Sequence, residues 1–382
     1  MPARRTRRCF AVVAPGLEAL AGSELHALGL ASGPAERGGV PFEATDEQLF
    51  TANLRLRTAS RVIVRVAEFK AKAFHELERL ARGVPWEEFV APGGAVCLAV
   101  TCRKSRLYHS GGVAERVTDA IGRRVPGATV GRAARGEERS DAQLLLVRFL
   151  HDTCTISADS SGELLHRRGY RQATAKAPLR ETLAAAMLMA LGWDGERPLV
   201  DPMCGAGTIA IEGALLARRI APGLSRSFAC ERWPAAPAAE FPALRAAARA
   251  ESLPRARVPI LASDRDAGAI AAARANAERA GVLADIEFRR CALSAVEPPA
   301  LPGLLLTNPP YGARIGERAA LRNLYAQFGN VARRRFAGWT VAFLSADRAL
   351  EAQVELPLGP VLRFRNGGIP VELEAVRALR IP

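Results

Sequence analysis

One segment of the chain, residues 198–208, places a short apolar strand directly before a glycine-rich turn and a helix. From residue 201 it reads Asp-Pro-Met-Cys-Gly-Ala-Gly-Thr. Glycines let a backbone approach a ligand without obstruction by a Cβ atom, and a helix N-terminus offers unpaired N–H groups. This strand, turn and helix therefore predict a ligand site in an α/β sheet. The candidate cofactor-binding residues here are Asp201, Cys204, Gly205, Gly207 and Thr208.

Strands and helices alternate through the second half of the chain. The periodicity predicts helices over 181–191, 208–220 and 266–280, and strands over 198–201, 259–263, 286–288, 304–307 and 340–345. Two last extended runs, 361–365 and 371–376, flank the turn-prone Asn366-Gly367-Gly368. The predicted fold class is α/β: a doubly wound, Rossmann-like sheet with an antiparallel edge hairpin. Residues 221–258 form a Pro- and Ala-rich insertion for which the sequence gives no mechanistic account.

The first half of the chain reads as two smaller α+β units. Short strands and helices of mixed order fill residues 9–66, and a second set fills residues 67–160. Arginines are concentrated just after them. The predicted domains are an N-terminal α+β domain (1–66), a second α+β domain (67–160), a basic linker (161–180) and a doubly wound domain (181–382).

A second polar motif, Ser-Asp-Arg-Asp at residues 263–266, ends the strand that follows the insertion. A carboxylate at the end of this strand in an open α/β sheet can bind the two hydroxyls of a ribose. Asp264 is the predicted ribose ligand. Asp266 stands where it would cap the following helix.

A third motif, Asn-Pro-Pro-Tyr-Gly at residues 308–312, directly follows an apolar strand. An exocyclic amine on a base ring is a poor nucleophile because its lone pair is delocalised. The Asn308 side-chain oxygen and the Pro309 carbonyl would each accept one N–H bond and orient that lone pair, while Tyr311 would stack on an extruded base. The predicted catalytic residues are Asn308, Pro309, Pro310 and Tyr311.

A nicotinamide cofactor is an alternative interpretation of the glycine turn. Gly205, Gly207 and Ala210 satisfy the loose dinucleotide pattern, and Glu231 follows at a tolerable distance. The segment around Glu231, however, does not read as a strand end. This interpretation also leaves the Asn308 motif unexplained.

The charge balance is strongly basic. The formal net charge is +14, and the basic residues comprise 49 Arg and 4 Lys. A polyanion partner and an arginine-rich solvated surface both explain such an excess. The candidate RNA contacts are Arg103, Lys104 and Arg106, which lie beside Tyr108, and Arg167, Arg168 and Arg171 of the predicted linker.

Cysteines and apolar runs exclude several protein classes. The seven Cys are spread along the chain without a disulfide framework, and none forms a zinc-ligand set with histidines, so no metal is predicted. No secretory signal and no run of eighteen apolar residues is present, and we expect no membrane partner and a cytoplasmic protein.

Together, residues 201–208, Asp264 and residues 308–311 resemble the class I S-adenosylmethionine-dependent amino-methyltransferases. Segments outside these motifs are similar to the THUMP-domain RNA methyltransferases, and most of all to the guanine-N2 half of the bacterial ribosomal RNA large subunit methyltransferase L group. Those segments are Ala14–Glu18, Ala52–Ala59, Trp86–Phe89, Leu165–Arg171 and Ala177–Thr182.

The resemblance implies a ferredoxin-like N-terminal domain, a THUMP domain that binds RNA, and a domain that uses S-adenosyl-L-methionine to form N2-methylguanosine in 23S rRNA or its precursor. It leaves two departures. The fused enzymes of this group carry a second methyltransferase domain, which we do not expect here. Many relatives hold the cofactor adenine with an Asp after the third strand, where this chain has Cys291 and Ala292; their backbone groups are the predicted substitutes.

Other functions stay open at this stage. The sequence barely distinguishes an rRNA methyltransferase from a tRNA guanine-N2 methyltransferase of the same architecture. Methylation of DNA amines leaves the N-terminal resemblance unexplained. A non-catalytic RNA-binding or ribosome-assembly protein would not need the intact Asn308 motif.

Overall fold

The computed structural model describes residues 6–132, 141–172, 179–311 and 318–377. The chain forms two compact units. The N-terminal unit comprises Met1–Val13, Ala21–Leu165 and Arg226–Ala247, and the C-terminal unit comprises Ala14–Leu20, His166–Ser225 and Ala248–Pro382. The predicted linker thus divides between the units after residue 165, and its residues 173–178, with Lys176, lie outside the described residues.

The strands of the described residues are β1 (Arg7–Val12), β2 (Gly39–Ala44), β3 (Arg61–Lys70), β4 (Ala95–Arg103), β5 (Thr129–Arg132), β6 (Gln143–Leu150), β7 (Thr153–Asp159), β8 (Leu199–Asp201), β9 (Ile260–Asp264), β10 (Glu287–Arg290), β11 (Leu304–Thr307), β12 (Thr340–Ser345), β13 (Gly359–Asn366) and β14 (Ile369–Val376).

The α-helices are α1 (Glu18–Ala27), α2 (Asp46–Arg55), α3 (Phe74–Ala81), α4 (Ser110–Arg124), α5 (Glu181–Ala190), α6 (Thr208–Ala217), α7 (Phe241–Ala250), α8 (Ala267–Arg279), α9 (Arg318–Arg335) and α10 (Arg348–Glu351). None of these helices is both long enough and apolar enough to cross a membrane.

One seven-stranded sheet runs through the whole N-terminal unit, in the order β2-β1-β3-β7-β6-β4-β5. Strand β3 pairs with β1 on one side and with β7 on the other, and it extends from residue 61 to residue 70. The predicted boundary between residues 66 and 67 therefore falls inside β3. A shift of register between Arg65 and Ala67 marks the same place. The two predicted N-terminal domains share a continuous sheet.

The middle of the insertion, residues 226–247, belongs to the N-terminal unit. The ring of Phe241 stacks on that of Phe50 in α2, with centroids 4.5 Å apart, and Phe228 meets Phe50 edge to face. Trp233 donates a hydrogen bond from Nε1 to Oε1 of Gln143 at 2.7 Å. All four aromatic residues are buried. The insertion thus supplies part of the core of a unit that lies earlier in the chain.

The C-terminal unit contains the predicted doubly wound sheet, in the order β10-β9-β8-β11-β12-β14-β13. The first five strands are parallel, and β14 and β13 form the antiparallel edge hairpin. The strand order reverses at β8, which has β9 on one side and β11 on the other. Ligands of open α/β sheets bind beside such a reversal, at the carboxyl ends of the strands.

The centre of this sheet is apolar because its parallel strands are covered on both faces. Every residue of β8, β11 and β12 is buried. On one face, Tyr325 and Phe328 of α9 pack edge to face against Phe343, with centroids 5.8 and 5.4 Å apart. A rigid core therefore fixes the strand ends that carry the three sequence motifs.

Candidate active site

The glycine turn between β8 and α6 is built from residues 202–207. Gly205 and Gly207 have φ angles of +51° and +82°, which side-chain-bearing residues rarely adopt. A Cβ atom at Gly207 would lie 3.0 Å from the Cβ of Ala273 in α8. The Cys204 N–H donates to the Ser263 carbonyl at 2.9 Å, which ties the turn to the end of β9. The turn thus leaves a bare backbone surface beside the strand reversal.

Asp201 ends β8 with its side chain fully enclosed. Its Oδ1 accepts hydrogen bonds from the Thr307 hydroxyl at 2.8 Å and from the Met203 N–H at 3.3 Å. Burial raises the pKa of Asp201 to about 7, and the nearby Asp264 carboxylate raises it further in the same direction. The bond to Thr307 joins the ends of β8 and β11. The raised pKa means that the Asp201 carboxyl group titrates near neutral pH.

Asp264 ends β9 with its carboxylate held by two backbone amides. Oδ2 accepts from the Gly205 N–H and Oδ1 from the Asp266 N–H, both at 3.0 Å. An ionised carboxylate has about four acceptor positions, so the remaining ones can accept the hydroxyls of a ribose. Asp266 caps α8, as predicted, by accepting from the N–H groups of Gly268 and Ala269.

Cys291 and Ala292 follow β10, with part of their hydrogen bonding already used. The Cys291 N–H donates to the Asp264 carbonyl at 3.1 Å, and the Ala292 carbonyl accepts from the Ala295 N–H at 2.9 Å. The Cys291 N–H is therefore engaged, which does not fit its predicted use as an adenine donor. The cavity beside it is lined by Val200, Ser263, Cys291 and Val296, among others.

Ser263 is a polar group of that cavity that sequence reasoning did not assign a role. Its Oγ is buried, and within the described residues it has no hydrogen-bond partner. Buried hydroxyls are nearly always bonded, so an orphaned one beside an apolar cavity suits a ligand with a polar edge. The glycine turn, the Asp264 carboxylate and the Ser263 hydroxyl are groups of the kind that a nucleoside-containing cofactor such as S-adenosylmethionine would use.

Asn308 and Tyr311 follow β11, on the other side of β8. The Asn308 Oδ1 is buried and has no partner among the residues that the structure describes. The hydroxyl oxygen of Tyr311 accepts a hydrogen bond from Nδ2 of Asn366 at 2.7 Å, and burial raises the pKa of Tyr311. Pro309 is buried and Pro310 is exposed. Gly312 lies outside the described residues.

Three of the six predicted RNA contacts lie on one exposed segment, residues 103–109. The side chains of Arg103, Lys104 and Arg106 are exposed, and the neighbouring Tyr108 is 80% exposed. The segment is nevertheless well anchored, because the Arg106 N–H donates to Oδ1 of Asp152 at 2.7 Å and Leu107 is buried. It presents charge and an aromatic ring from a fixed backbone.

The other three predicted contacts differ from one another. Arg167 is exposed, whereas Arg168 is buried with its Nε 3.6 Å from the Glu212 carboxylate. Arg171 donates to the Leu179 carbonyl and pairs with Glu181 at 3.0 Å. The burial of Arg168 does not fit a role in contacting RNA. Arg168 and Arg171 instead form ion pairs within the C-terminal unit.

Glu231, the acid of the nicotinamide alternative, belongs to the N-terminal unit, whereas the glycine turn belongs to the C-terminal unit. Its carboxylate accepts from the Phe228 N–H at 2.7 Å and pairs with Arg245. The acid that follows the glycine turn at a strand end is Asp264. Across the four described ranges, no group of three or more His, Cys, Asp or Glu side chains is placed to hold a metal ion.

Known proteins resemble this chain over nearly its full length. It is 36% identical to a Synechocystis protein that carries the name of an RNA methyltransferase, over 96% of each chain. It is 38% identical to the ribosomal RNA large subunit methyltransferase K/L of Syntrophotalea carbinolica, over 95% of this chain and 52% of that one. The chain spans about half the length of such K/L relatives.

Solved structures and family profiles agree with these relatives. The crystal structure of SMU.472, named as a methyltransferase and complexed with S-adenosylhomocysteine, has a TM-score of 0.88 and 29% identity over 99% of this chain and all of that chain. Residues 8–63 match the RlmL ferredoxin-like domain, and residues 168–365 match UPF0020, the RMKL-like methyltransferase domain. The chain therefore belongs to the RMKL-like methyltransferase family, whose cofactor is S-adenosylmethionine.

Proposed function

We propose that this protein transfers a methyl group from S-adenosylmethionine to the exocyclic N2 amine of a guanosine in 23S rRNA. The observation that carries the proposal is the buried, unpartnered Oδ1 of Asn308 at the end of β11. An unpaired buried acceptor destabilises a fold by roughly 1–3 kcal/mol. A substrate that donates an N–H bond to this oxygen would remove that penalty.

The residues of the site suit methylation of a planar amine. Asn308 Oδ1 and the Pro309 carbonyl each accept one N–H of the amine, which directs its lone pair out of the base plane. Tyr311, whose hydroxyl is fixed by Asn366, offers its ring as the stacking surface. When bound, S-adenosylmethionine supplies the electrophilic methyl group. In the transfer the N–CH3 bond would form as the S–CH3 bond breaks, with the thioether S-adenosylhomocysteine as the leaving group and one amine proton released to solvent. Alignment and fixed polar contacts would promote this step.

Two features support the proposed binding of the cofactor: Asp264 and the glycine turn, which hydrogen bonds fix in place. Asp264 would bind the ribose hydroxyls, and the turn from Cys204 to Thr208 would lie against the rest of the cofactor. Asp201 supports the turn through its bonds to Thr307 and Met203. The backbone of Ala292 would contact the adenine, and the Ser263 hydroxyl would contact it as well.

RNA is proposed as the substrate because two relatives bear the names of RNA methyltransferases and the segment 103–109 presents three cations with Tyr108. Large-subunit rRNA is favoured by the K/L relatives. The choice of guanine N2 depends on the resemblance to the guanine-N2 half of this group. We propose the cytoplasm as the place of the reaction, where such RNA is found in bacteria.

The test is methyl transfer from labelled S-adenosylmethionine to unmodified 23S rRNA, with nucleoside analysis of the product. N2-methylguanosine in 23S rRNA is the expected result. Product in tRNA alone would assign the tRNA alternative, and N6-methyladenosine would overturn the guanine assignment.

Replacement of Asn308 by Ala should abolish methylation while RNA affinity stays within about twofold. Asn308→Asp keeps an acceptor oxygen and the side-chain shape, so it separates loss of the bond from loss of packing. Activity that survives Asn308→Ala would contradict the lone-pair argument. Wild-type protein that binds RNA but never methylates it would favour the non-catalytic alternative.

A further inference from the structure

A buried side chain in the middle of α8, Asn276, contacts the glycine turn. Its Nδ2 donates to the Ala206 carbonyl at 3.0 Å, and the whole residue is inaccessible to solvent. Ala206 lies between the two glycines with positive φ angles. The bond therefore joins the helix after Asp264 to the most unusual part of the turn backbone.

Asn276 is itself held in place. Its Oδ1 accepts a hydrogen bond from Nη2 of Arg279, one turn later on α8. The Nε of Arg279 donates to the Tyr170 carbonyl at 2.7 Å. With both ends of its amide engaged, Asn276 has one orientation in which its NH2 group faces Ala206.

Tyr170 extends the same network to the other helix of the site. Its hydroxyl donates to Oε1 of Glu212 at 3.1 Å, and both residues are buried. Glu212 lies on α6, the helix that the glycine turn opens into. Residue 170 is thus bonded to both helices that border the turn, through its backbone to α8 and through its side chain to α6.

From this network we infer that Asn276 is a positioning residue for cofactor binding. Through its bond to Ala206 it holds the glycine turn in its cofactor-ready shape, and Arg279 and Tyr170 hold Asn276. The turn has two residues that tolerate many conformations, Gly205 and Gly207, and an external bond restricts them. A turn fixed before binding loses less freedom on binding, which strengthens affinity.

The test is the dissociation constant of S-adenosylmethionine for the full chain, measured by titration without RNA. Asn276→Ala removes both bonds, and we expect the constant to rise about tenfold. Asn276→Asp keeps the acceptor for Arg279 but sets a carboxylate against the Ala206 carbonyl. It should stay folded with a lower unfolding free energy, because Arg279 still pairs with the new carboxylate, and bind the cofactor at least as weakly as the Ala variant. Arg274→Ala, on an exposed face of α8, is the control and should bind normally.

Kinetics separate positioning from a general loss of structure. At saturating cofactor the Asn276 variants should recover most of kcat, with the KM for S-adenosylmethionine raised and the KM for RNA unchanged. Normal cofactor affinity in a folded Asn276→Asp variant would overturn the inference. If that variant does not fold, Arg279→Ala decides the matter, because cofactor affinity equal to that of the wild type would contradict the proposed network. These binding measurements need no methyl acceptor, so their outcome is independent of the proposed RNA target.

Discussion

Asn366, the last residue of β13, donates a 2.7 Å hydrogen bond to the hydroxyl oxygen of Tyr311, the last residue described after β11. The edge hairpin is thereby joined to the ring proposed to stack on the substrate base. Asn366 is 7% exposed and stands just before the Gly367-Gly368 turn. The Asn366 side chain thus links the hairpin to the segment that follows β11.

Replacing Asn366 by Ala should lower kcat/KM for RNA by about five- to tenfold, because the Tyr311 hydroxyl loses its hydrogen bond to Asn366 while the cofactor side is untouched. Steady-state methylation with varied RNA measures this, and the dissociation constant of S-adenosylmethionine should not change. Tyr311→Phe should cost a similar factor. In the Tyr311→Phe background, Asn366→Ala should have little further effect; full additivity of the two losses would contradict the linkage.

Stability should fall as pH rises through neutrality. Burial raises the pKa of Asp201 from the ordinary value of 3.8 to about 7, so between these values the folded protein keeps a proton that the unfolded chain has released. This contribution is fully present below about pH 4 and is lost as the pH passes about 7, with an upper bound of roughly 4 kcal/mol. Glu181, whose pKa burial raises to about 7, acts in the same direction.

Denaturant unfolding between pH 5 and pH 8 measures this slope. Asp201→Asn should reduce it and leave the contribution of Glu181, since the variant has no proton to release at residue 201. Asp266→Asn removes the same formal charge and keeps a good helix cap, so it should retain the wild-type slope. Equal slopes in all three proteins would exclude Asp201 as a source of the pH dependence.

The two glycines of the turn offer a matched pair of variants. Gly205→Ala meets open space and should cost about 1 kcal/mol of unfolding free energy for the left-handed backbone alone. Gly207→Ala has the same backbone penalty and also brings its Cβ to 3.0 Å from Ala273, so we expect roughly 2–3 kcal/mol. Unfolding in urea compares them. A larger loss of unfolding free energy in Gly205→Ala would mean that the contact with α8 does not restrict residue 207.

The exposed segment 103–109 should set the salt dependence of RNA binding. Changing Arg103, Lys104 and Arg106 to Ala should weaken binding and lower the slope of log affinity against log salt by up to about 2 to 3, since each phosphate contact releases counterions. Tyr108→Ala should weaken binding to unpaired RNA without changing that slope.

A control of equal charge comes from three exposed arginines of the C-terminal unit: Arg249, Arg255 and Arg257. Their replacement by Ala tests whether net charge alone explains the effect. If both triple variants lose affinity and slope equally, the segment 103–109 has no special role.

The doubly wound sheet was predictable because its strands are short apolar runs that each end in a polar motif. Leu304–Thr307 and Thr340–Ser345 have the bounds that the sequence predicted. The positions of Asp264 and Asp201 at strand ends were predictable for the same reason. Local pattern suffices where the contacts that matter are local or follow from parallel pairing.

Asn276 was missed because an Asn within a helix normally reads as solvent-exposed. A signal was present, since it lies beside Ala277 and three residues after Ala273 on the face that is buried. The burial of Arg168 was missed for a related reason. Its partner, Glu212, lies 44 positions later, and no local pattern distinguishes it from the exposed Arg167.

The continuity of β3 across residue 66 depends on pairing with β7, which lies some 90 residues later. The packing of the insertion in the first unit depends on Phe50. This ring contacts Phe228 and Phe241, which lie more than 170 residues later in the chain. Neither of these contacts produces a periodic pattern in the sequence. Long-range packing of this kind is what the sequence pattern could not supply.

The return of residues 226–247 to the first unit bears on how the protein is made. During synthesis, the chain up to residue 165 contains the complete seven-stranded sheet but lacks the rings of Phe228, Trp233 and Phe241. Phe50 and Gln143 therefore lack these packing partners until about eighty further residues have been synthesised. The first unit can therefore complete its core only when about a third of the second has been translated, so the synthesis of the second unit begins before the first is complete.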